Sequence, residues 1–520
     1  MITEMHPERW GDPALAGPLT DQAKALVEGV FGAGEPVPAS PAPPPAPRLS
    51  AELLAELRGL VGADAVLIDD DSRSLRTRGK STPDLLRARA GDLSDAPDAV
   101  VRPGSHEEVV ALLAWATKQR VAVTPFGGGT SVAGGLIAAR AGFAGVISLD
   151  LIRMDRLLNV DRESLTATFQ PGVRGPDAEA LLAEHGLTLG HFPQSFEFAS
   201  IGGYAATRSS GQSSCGNGRF DQMVVRLRVA TPIGDITPGT APANAAGPDL
   251  RQVFLGSEGA LGVITEITVK VHPRLADPVY EAWAFASFAD GASAIRELVQ
   301  RDLRPTVLRL SDEAETLVNL ANHAGSSQDA VEGCLMIVGY ESASSLLRRA
   351  DITAALTELG GTSLPGDRGA DWAAGRYSAP YQRDSMLDAG VLVETLETAT
   401  FWSNRDALYR AVKAALESSL GAGAVVLCHI SHVYEAGCSL YFTVAAKAGP
   451  DPINQWWAAK RAASDAMIAT GSTITHHHAI GTDHKPWLAE EIGPVGVAIL
   501  RGLKATVDPA GVLNPGVLIP

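Results

Sequence analysis

The sequence predicts an α+β fold in two main domains, a glycine-rich one in the first half and one of alternating strands and helices in the second. Three observations carry this expectation. Near Pro97 a strand, a helix and a second strand run into "TPFGGGTSVAGG", with five glycines in twelve residues from Thr124. Two more Gly/Ser-rich stretches, residues 193–224 and 255–273, each lie beside a strand. Beyond residue 274 such loops become rare, and apolar runs alternate with amphipathic ones. A length of 520 residues leaves room for two or three domains.

Taken in order, residues 1–48 form an N-terminal arm and linker, because the prolines of "GAGEPVPASPAPPPAPR" from Gly32 exclude helix and favour extended chain. Residues 49–96 open a helical segment. In "LSAELLAELRGLVG" the leucines fall at helical spacing, with Ser50 as N-cap and Gly62 as stop. Residues 97–273 form the glycine-rich domain. It starts with a β-α-β unit, "DAVVRPGSHEEVVALLAWATKQRVAVTPFGGG", whose helix is capped by Ser105 and Glu108. Strands follow at "GVISLDL", "TATFQPGV" and the alternation Val225, Leu227, Val229. The helix "PDAEALLAEHG" is stopped by Gly186. Residues 274–505 form the second domain, with the strand "CLMIVGYE" and the helix "NRDALYRAVKAALESSL" among its elements. The tail, residues 506–520, is glycine- and proline-rich and is expected to return to the first domain as a strand.

Hydrophobic residues make up 45% of the chain, charged ones 20%, and the net charge is −16, which suits an acidic globular protein and argues against nucleic acid as a partner. Four scattered cysteines form no disulfide framework, so a reducing cytoplasm is expected. There is no apolar run of membrane-spanning length and no secretory leader pattern. Peripheral contact with a membrane and a homodimer both stay open.

The first glycine loop is neither a Walker A sequence nor a G-x-G-x-x-G. Alone it is compatible with a simple turn. Three Gly/Ser-rich loops in one domain, however, supply many N–H and O–H donors without fixed positive charge, which suits a pyrophosphate and a large planar ring. In the second half "TITHHHAIGTDHKPWL", from Thr473, stands out. It reads as a surface turn or, with His484, as a metal site. Cys428, His429, His432 and Cys438 suggest zinc but lack its usual ligand spacing, so no metal is expected. Extended chain would put His476 and His478 on one side and His477 on the other.

The order of the three loops resembles the FAD-binding domain of the vanillyl-alcohol oxidase and p-cresol methylhydroxylase type, over residues 97–273 and the closing "DPAGVLNPG". The resemblance implies that Pro125, Phe126, Gly127, Gly128, Gly129, Thr130 and Ser131 cradle the FAD pyrophosphate. Gln194, Ser195, Phe196, Glu197, Phe198, Ala199, Ser200, Gly202 and Gly203 would continue the site. Thr207, Arg208, Ser209, Ser210, Glu258, Gly259, Ala260, Leu261, Gly262, Val263 and Ile264 would complete it. The loop offers no histidine or cysteine, so FAD is expected to bind without a covalent bond. The second domain would then be the α/β cap over the substrate.

The triple histidine resembles that of the alkyldihydroxyacetonephosphate synthase family of ether-lipid synthesis. Tyr441 in "GCSLYFTV" stands where that family has its catalytic tyrosine. Arg309 in "VLRLSD" and Arg383 in "YQRDSMLDAG" match its substrate-site arginines. The chain departs from the family pattern at Ala479, where glycine is common, at His429, where an arginine occurs, and in its proline-rich arm. The resemblance implies a net non-redox exchange: the acyl group of an acyl-dihydroxyacetone phosphate leaves and a long-chain alcohol takes its place, with the flavin as a handle for the glycerone carbon. Tyr441, His476, His477 and His478 would move protons, and Arg383 and Arg309 would hold the phosphate. The alternative is FAD-dependent oxidation of a D-2-hydroxy acid such as lactate or glycolate. Those relatives carry a glutamate before a His-Gly pair, which Thr475 to His478 lacks. A non-catalytic flavoprotein scaffold is the third reading.

Overall fold

Apolar strands too short to alternate build the first sheet. β1 (Val66–Leu67), β2 (Ala99–Val101), β3 (Val121–Phe126) and β4 (Gly145–Asp150) lie in the order β1-β2-β4-β3. The pairs β2–β4 and β3–β4 are parallel, and Ile147 sits between Ala99 and Val123. Parallel sheets are covered on both faces, which explains why these strands are almost wholly buried. The predicted β-α-β unit is present, with β4 inserted between its two strands. Its helix, His106–Gln119, starts with the Ser105 hydroxyl accepting from the Glu108 N–H, while the Glu108 carboxylate accepts from the Gly104 N–H (2.7 Å). The segment read as helical also contributes β1, an edge strand too short to show in the pattern. Its first helix, Ala51–Val61, has the expected Ser50 and Gly62 caps.

The computed structural model describes residues 3–520 except 16, 20, 33–38, 41, 138, 141, 323–330 and 422, so positions 33–38 and 41 of the proline-rich linker lie outside the described residues. A second sheet holds β5 (Leu157–Asp161), β6 (Thr166–Phe169), β8 (Val224–Thr231), β9 (Gly234–Ile236) and β10 (Val263–Lys270), ordered β5-β6-β10-β8-β9. β7 (Leu187–Thr188) pairs with β11 (His272–Pro273). Leu227 and Val229 point into the core with Phe169 and Ile267.

The second half is built on β12 (Val279–Phe285), β13 (Val307–Ser311), β14 (Cys334–Tyr340), β15 (Thr362–Leu364), β16 (Val391–Phe401), β17 (Val425–Ile430) and β18 (Gly437–Lys447). The order is β15-β12-β14-β13-β17-β18-β16. All these pairings are antiparallel, so the alternation read as α/β yields an antiparallel sheet; element order along the chain does not fix strand direction. Helices Phe288–Gln300, Arg405–Leu420 and Pro452–Ala469 share its main core.

Both chain ends return to the first half. Leu513 bridges Val123 in parallel beside the free edge of β3, with Val123 N–H donating to Val512 and Asn514 N–H to Val123, both at 2.8 Å. At the other end Met5 and Trp10 are buried against Phe198, and Lys80 donates to the carbonyls of His6 (2.6 Å) and Pro7 (3.0 Å).

Candidate active site

The first glycine loop leaves the end of β3, where a parallel strand delivers its chain to the sheet's carboxyl edge. Its shape is set by neighbouring loops. A Cβ on Gly128 would collide with the Phe198 carbonyl of the second loop, and one on Gly259, at φ +73°, would collide with the Pro125 ring. Close packing of the three loops therefore requires bare backbone. What remains is a row of unused donors: the main-chain N–H groups of residues 127–131 meet no acceptor among the described residues. Buried hydroxyls of Thr124 and Ser257 at the same place also lack partners. Adjacent free N–H groups fit the pyrophosphate of a dinucleotide.

Several other residues assigned to this site have side chains committed within the protein. Arg208 donates to the carbonyls of Leu255 (3.0 Å) and Gln252 (3.1 Å), and Gln194 donates to the Arg376 carbonyl (2.9 Å). The Thr207 hydroxyl donates to the Gly203 carbonyl, and Ser200 caps the helix Ile201–Thr207. Ser209 is hydrogen-bonded to His191, Ser210 to His432, while Ala260, Leu261, Val263 and Ile264 are core. The Glu258 carboxylate accepts from the N–H groups of Ile480 (3.2 Å) and Gly481 (2.9 Å), so it holds the histidine segment rather than presenting a free acid. Burial pushes it up to about 7, against those hydrogen bonds.

The histidine segment is not extended, and the expected two-sided arrangement does not form. A buried carboxylate folds it into a turn. Glu397 accepts from the N–H groups of His476 (2.7 Å), His477 (3.1 Å) and His478 (2.9 Å) and from the Thr475 hydroxyl. Three successive N–H groups thus wrap one anion, and Ala479 leaves the turn at φ +71°. That left-handed angle explains why glycine suits the position and what alanine costs there.

Consequently His477 and His478 lie against Tyr441, while His476 turns to His432 and Tyr434. His477 stacks at 6.1 Å between centroids and His478 stands edge-on at 5.6 Å. Sheet register sets the floor, because Glu397 pairs with Tyr441 and Tyr441 with His429 across β16, β18 and β17. Directly opposed residues share a face. Burial, opposed in part by Thr395, pushes the Tyr441 phenol up to about 12. Burial, followed by the charge of neighbouring His477, holds His476 well below the ordinary histidine value, and burial brings His478 down to about 3. Glu397 stays well below the usual carboxylate range: burial opposes this, and the facing imidazoles of His477, His478 and His476 outweigh it.

The two arginines differ. Arg309 is spent on protein partners, donating to Glu315 (3.0 Å) and lying within 3.1 Å of the His429 ring nitrogens. Through His429, stacked on Tyr441 at 4.7 Å, it braces the tyrosine. Arg383 donates Nη1 to the Lys80 carbonyl (2.7 Å), and its buried Nε and Nη2 have no hydrogen-bond partner. It adjoins the first loop, since Lys80 N–H donates to the Ser131 carbonyl (2.7 Å).

Neither metal grouping weighed from the sequence forms. His484 is paired with Lys460, His429 with Arg309, and Cys428 and Cys438 are buried core thiols. Instead His432, His476 and His477 place nitrogens within 4.8 Å of one another. Sequence reasoning weighed His432 only as a zinc ligand and missed Tyr434 and Glu397. A signal for Glu397 existed: "VLVETLETATF" reads as a strand with two carboxylates, Glu394 and Glu397, and a carboxylate that a strand buries has to find a partner.

Residues 97–238 match the FAD binding domain family and residues 275–518 the C-terminal domain of FAD linked oxidases. The chain is 34% identical over 499 residues to the alkyldihydroxyacetonephosphate synthase of Dictyostelium discoideum, covering 91% of this chain and 82% of that protein. A solved alkyldihydroxyacetonephosphate synthase structure superposes with a TM-score of 0.85 at 30% identity, covering 99% of both chains. Substrate-bound p-cresol methylhydroxylase, at 15% identity and a TM-score of 0.68 over 91% of this chain and 98% of that one, shares the fold. The chain therefore belongs to the alkyldihydroxyacetonephosphate synthase family, with FAD as its cofactor.

Proposed function

We propose that the protein replaces the acyl group of an acyl-dihydroxyacetone phosphate by a long-chain alcohol, with no net oxidation. The observation that carries this reading is the setting of His477 and His478 against Tyr441 by the turn that Glu397 holds, on a segment whose other end is held by Glu258 of the third flavin-domain loop. FAD, once bound, would supply an electrophilic ring for the glycerone carbon without net transfer of electrons. Tyr441 and the histidines take the proton from the carbon bearing the ester, the acyl chain leaves with the ester oxygen as its carboxylate, and the proton returns once the alcohol oxygen has bonded to that carbon. Arg383, whose Nε faces Asp384 Oδ1 at 3.6 Å, holds the phosphate through its unpartnered Nη2, and Arg309 acts through His429 on Tyr441. Residues 125–131 receive the pyrophosphate of noncovalent FAD, and the second and third loops close around the rest of it.

The alcohol is a bilayer-soluble substrate, so the reading includes peripheral membrane contact by a cytoplasmic enzyme, and a homodimer. No helix among the described residues is long and apolar enough to cross a membrane. The test is labelled-alcohol incorporation run beside an oxygen electrode and a dye-reduction assay. Product without peroxide or reduced dye is expected. Redox product formed in step with substrate loss, or sustained flavin reduction by D-lactate, would overturn the reading in favour of 2-hydroxy acid oxidation.

A further inference from the structure

Glu397 does more than its hydrogen bonds to the turn require. With its main-chain partners satisfied, Oε2 still lies 3.4 Å from His477 Nδ1 and Oε1 3.9 Å from His478 Nδ1, and the side chain is fully buried. His477 Nδ1 is also 3.0 Å from His476 Nδ1, and His476 Nε2 is 2.6 Å from the Tyr434 hydroxyl. Only one proton fits between the two Nδ1 atoms. With it on His477, Nδ1–H points at His476 Nδ1 with Glu397 beside it, and His476 turns Nε2–H to the Tyr434 oxygen. With it on His476 instead, a lone pair of His477 would face the Glu397 anion across 3.4 Å, which electrostatics disfavours. Arg219 fixes His476 from outside through its carbonyl (3.0 Å).

We propose that Glu397 is the positioning residue of the exchange chemistry: it keeps the His477 proton on Nδ1, leaves Nε2 as the basic atom of a ring whose centroid lies 4.8 Å from that of His432 and 6.1 Å from that of Tyr441, and offsets the charge His477 gains on taking a proton. The role rests on the exchange reading above. It is the part an orienting carboxylate plays toward a histidine base in hydrolases, reached here through a wrapped turn. No bond to carbon is made or broken by Glu397 itself. The proton that His477 accepts at Nε2 comes from substrate and returns to it.

The experiment uses FAD-loaded full-length enzyme. Long-range proton–nitrogen spectra of 15N-histidine-labelled protein, with His477 assigned by His477→Asn, report which ring nitrogen carries the proton, whether or not turnover occurs. Alcohol incorporation gives kcat and KM separately. Expected are an Nδ1–H tautomer for wild-type His477 and a change of tautomer in Glu397→Gln. In the same variant kcat should fall by about 10²–10⁴-fold with KM within about threefold and flavin content unchanged. Glu397→Asp, which keeps the charge, should regain about tenfold or more of that loss. Thr475→Val removes one donor to the carboxylate and should cost kcat less than about tenfold. An Nε2–H tautomer in the wild type overturns the proposal even if Glu397→Gln does not fold. So does a Thr475→Val loss as large as that of Glu397→Gln, which would make the carboxylate a turn anchor only. If the wild type shows the Nδ1–H tautomer but incorporates no alcohol, the exchange reading fails and the Glu397–His477 arrangement stands.

Discussion

Glu258→Gln should stabilise the protein above neutral pH and leave it unchanged in acid. Glu258 is buried at the junction of the third loop and the histidine segment, and burial lifts it from an ordinary 4.5 to about 7 even though Ile480 and Gly481 donate to it. A carboxyl raised on folding is favoured in its protonated form. Its contribution is complete below the unfolded value near 4.5 and is lost as pH rises through about 7. At about 1.4 kcal/mol per decade this difference amounts to about 3 kcal/mol at pH 8. Glutamine mimics the protonated acid and carries no such penalty. Urea unfolding of wild type and variant at pH 5 and pH 8 gives the answer as a difference of differences. Using the difference also cancels the buried histidines, which lose stability in the opposite direction as pH falls, whereas Asp483, raised to about 7 first by burial and then by Asp84, is a charge that also lifts Glu258 and titrates together with it. A Glu258→Gln protein less stable than wild type at pH 8 would show that the two N–H groups outweigh burial and would refute the reasoning.

Gly128→Ala should lose stability and flavin together, by more than about 2 kcal/mol in urea unfolding, because the added carbon meets the Phe198 carbonyl rather than only the cofactor's space. Folded, colourless protein would place the constraint on the cofactor side. Ala479→Gly should raise stability by roughly 0.5–1 kcal/mol, the relief of a left-handed alanine at φ +71° less the entropy glycine adds to the unfolded chain, as read by the shift in urea midpoint. Arg383→Lys should raise KM for the phosphate substrate by about tenfold with flavin content unchanged, since lysine cannot reproduce the planar fork whose buried Nη2 has no partner. Unchanged KM would remove Arg383 from the site.

What was legible in the chain is what depends on neighbours in sequence. The helix starts at Ser50 and Ser105, the apolar strands β3, β4 and β14, and the glycine loop after β3 follow from caps, alternation and bare backbone, and they stand in the structure as read. The failures share a different cause. The strand β1 has two residues, too few for any period, and the parity argument for His476 to His478 assumed extended chain where a carboxylate almost eighty residues away imposes a turn. Arg309, expected at the substrate from its family position, also pairs with Glu315, one helical turn beyond its strand, a contact that nothing in the sequence marks. The same limit works in reverse at Glu397. A buried acid in a strand announces that some compensating group must exist, because an uncompensated charge there costs more than the fold can bear. It does not announce which group. Only the register that sets Glu397 opposite Tyr441 shows that the compensation is the histidine turn itself, and that the charge the fold had to neutralise is placed where a proton-transfer site would use it.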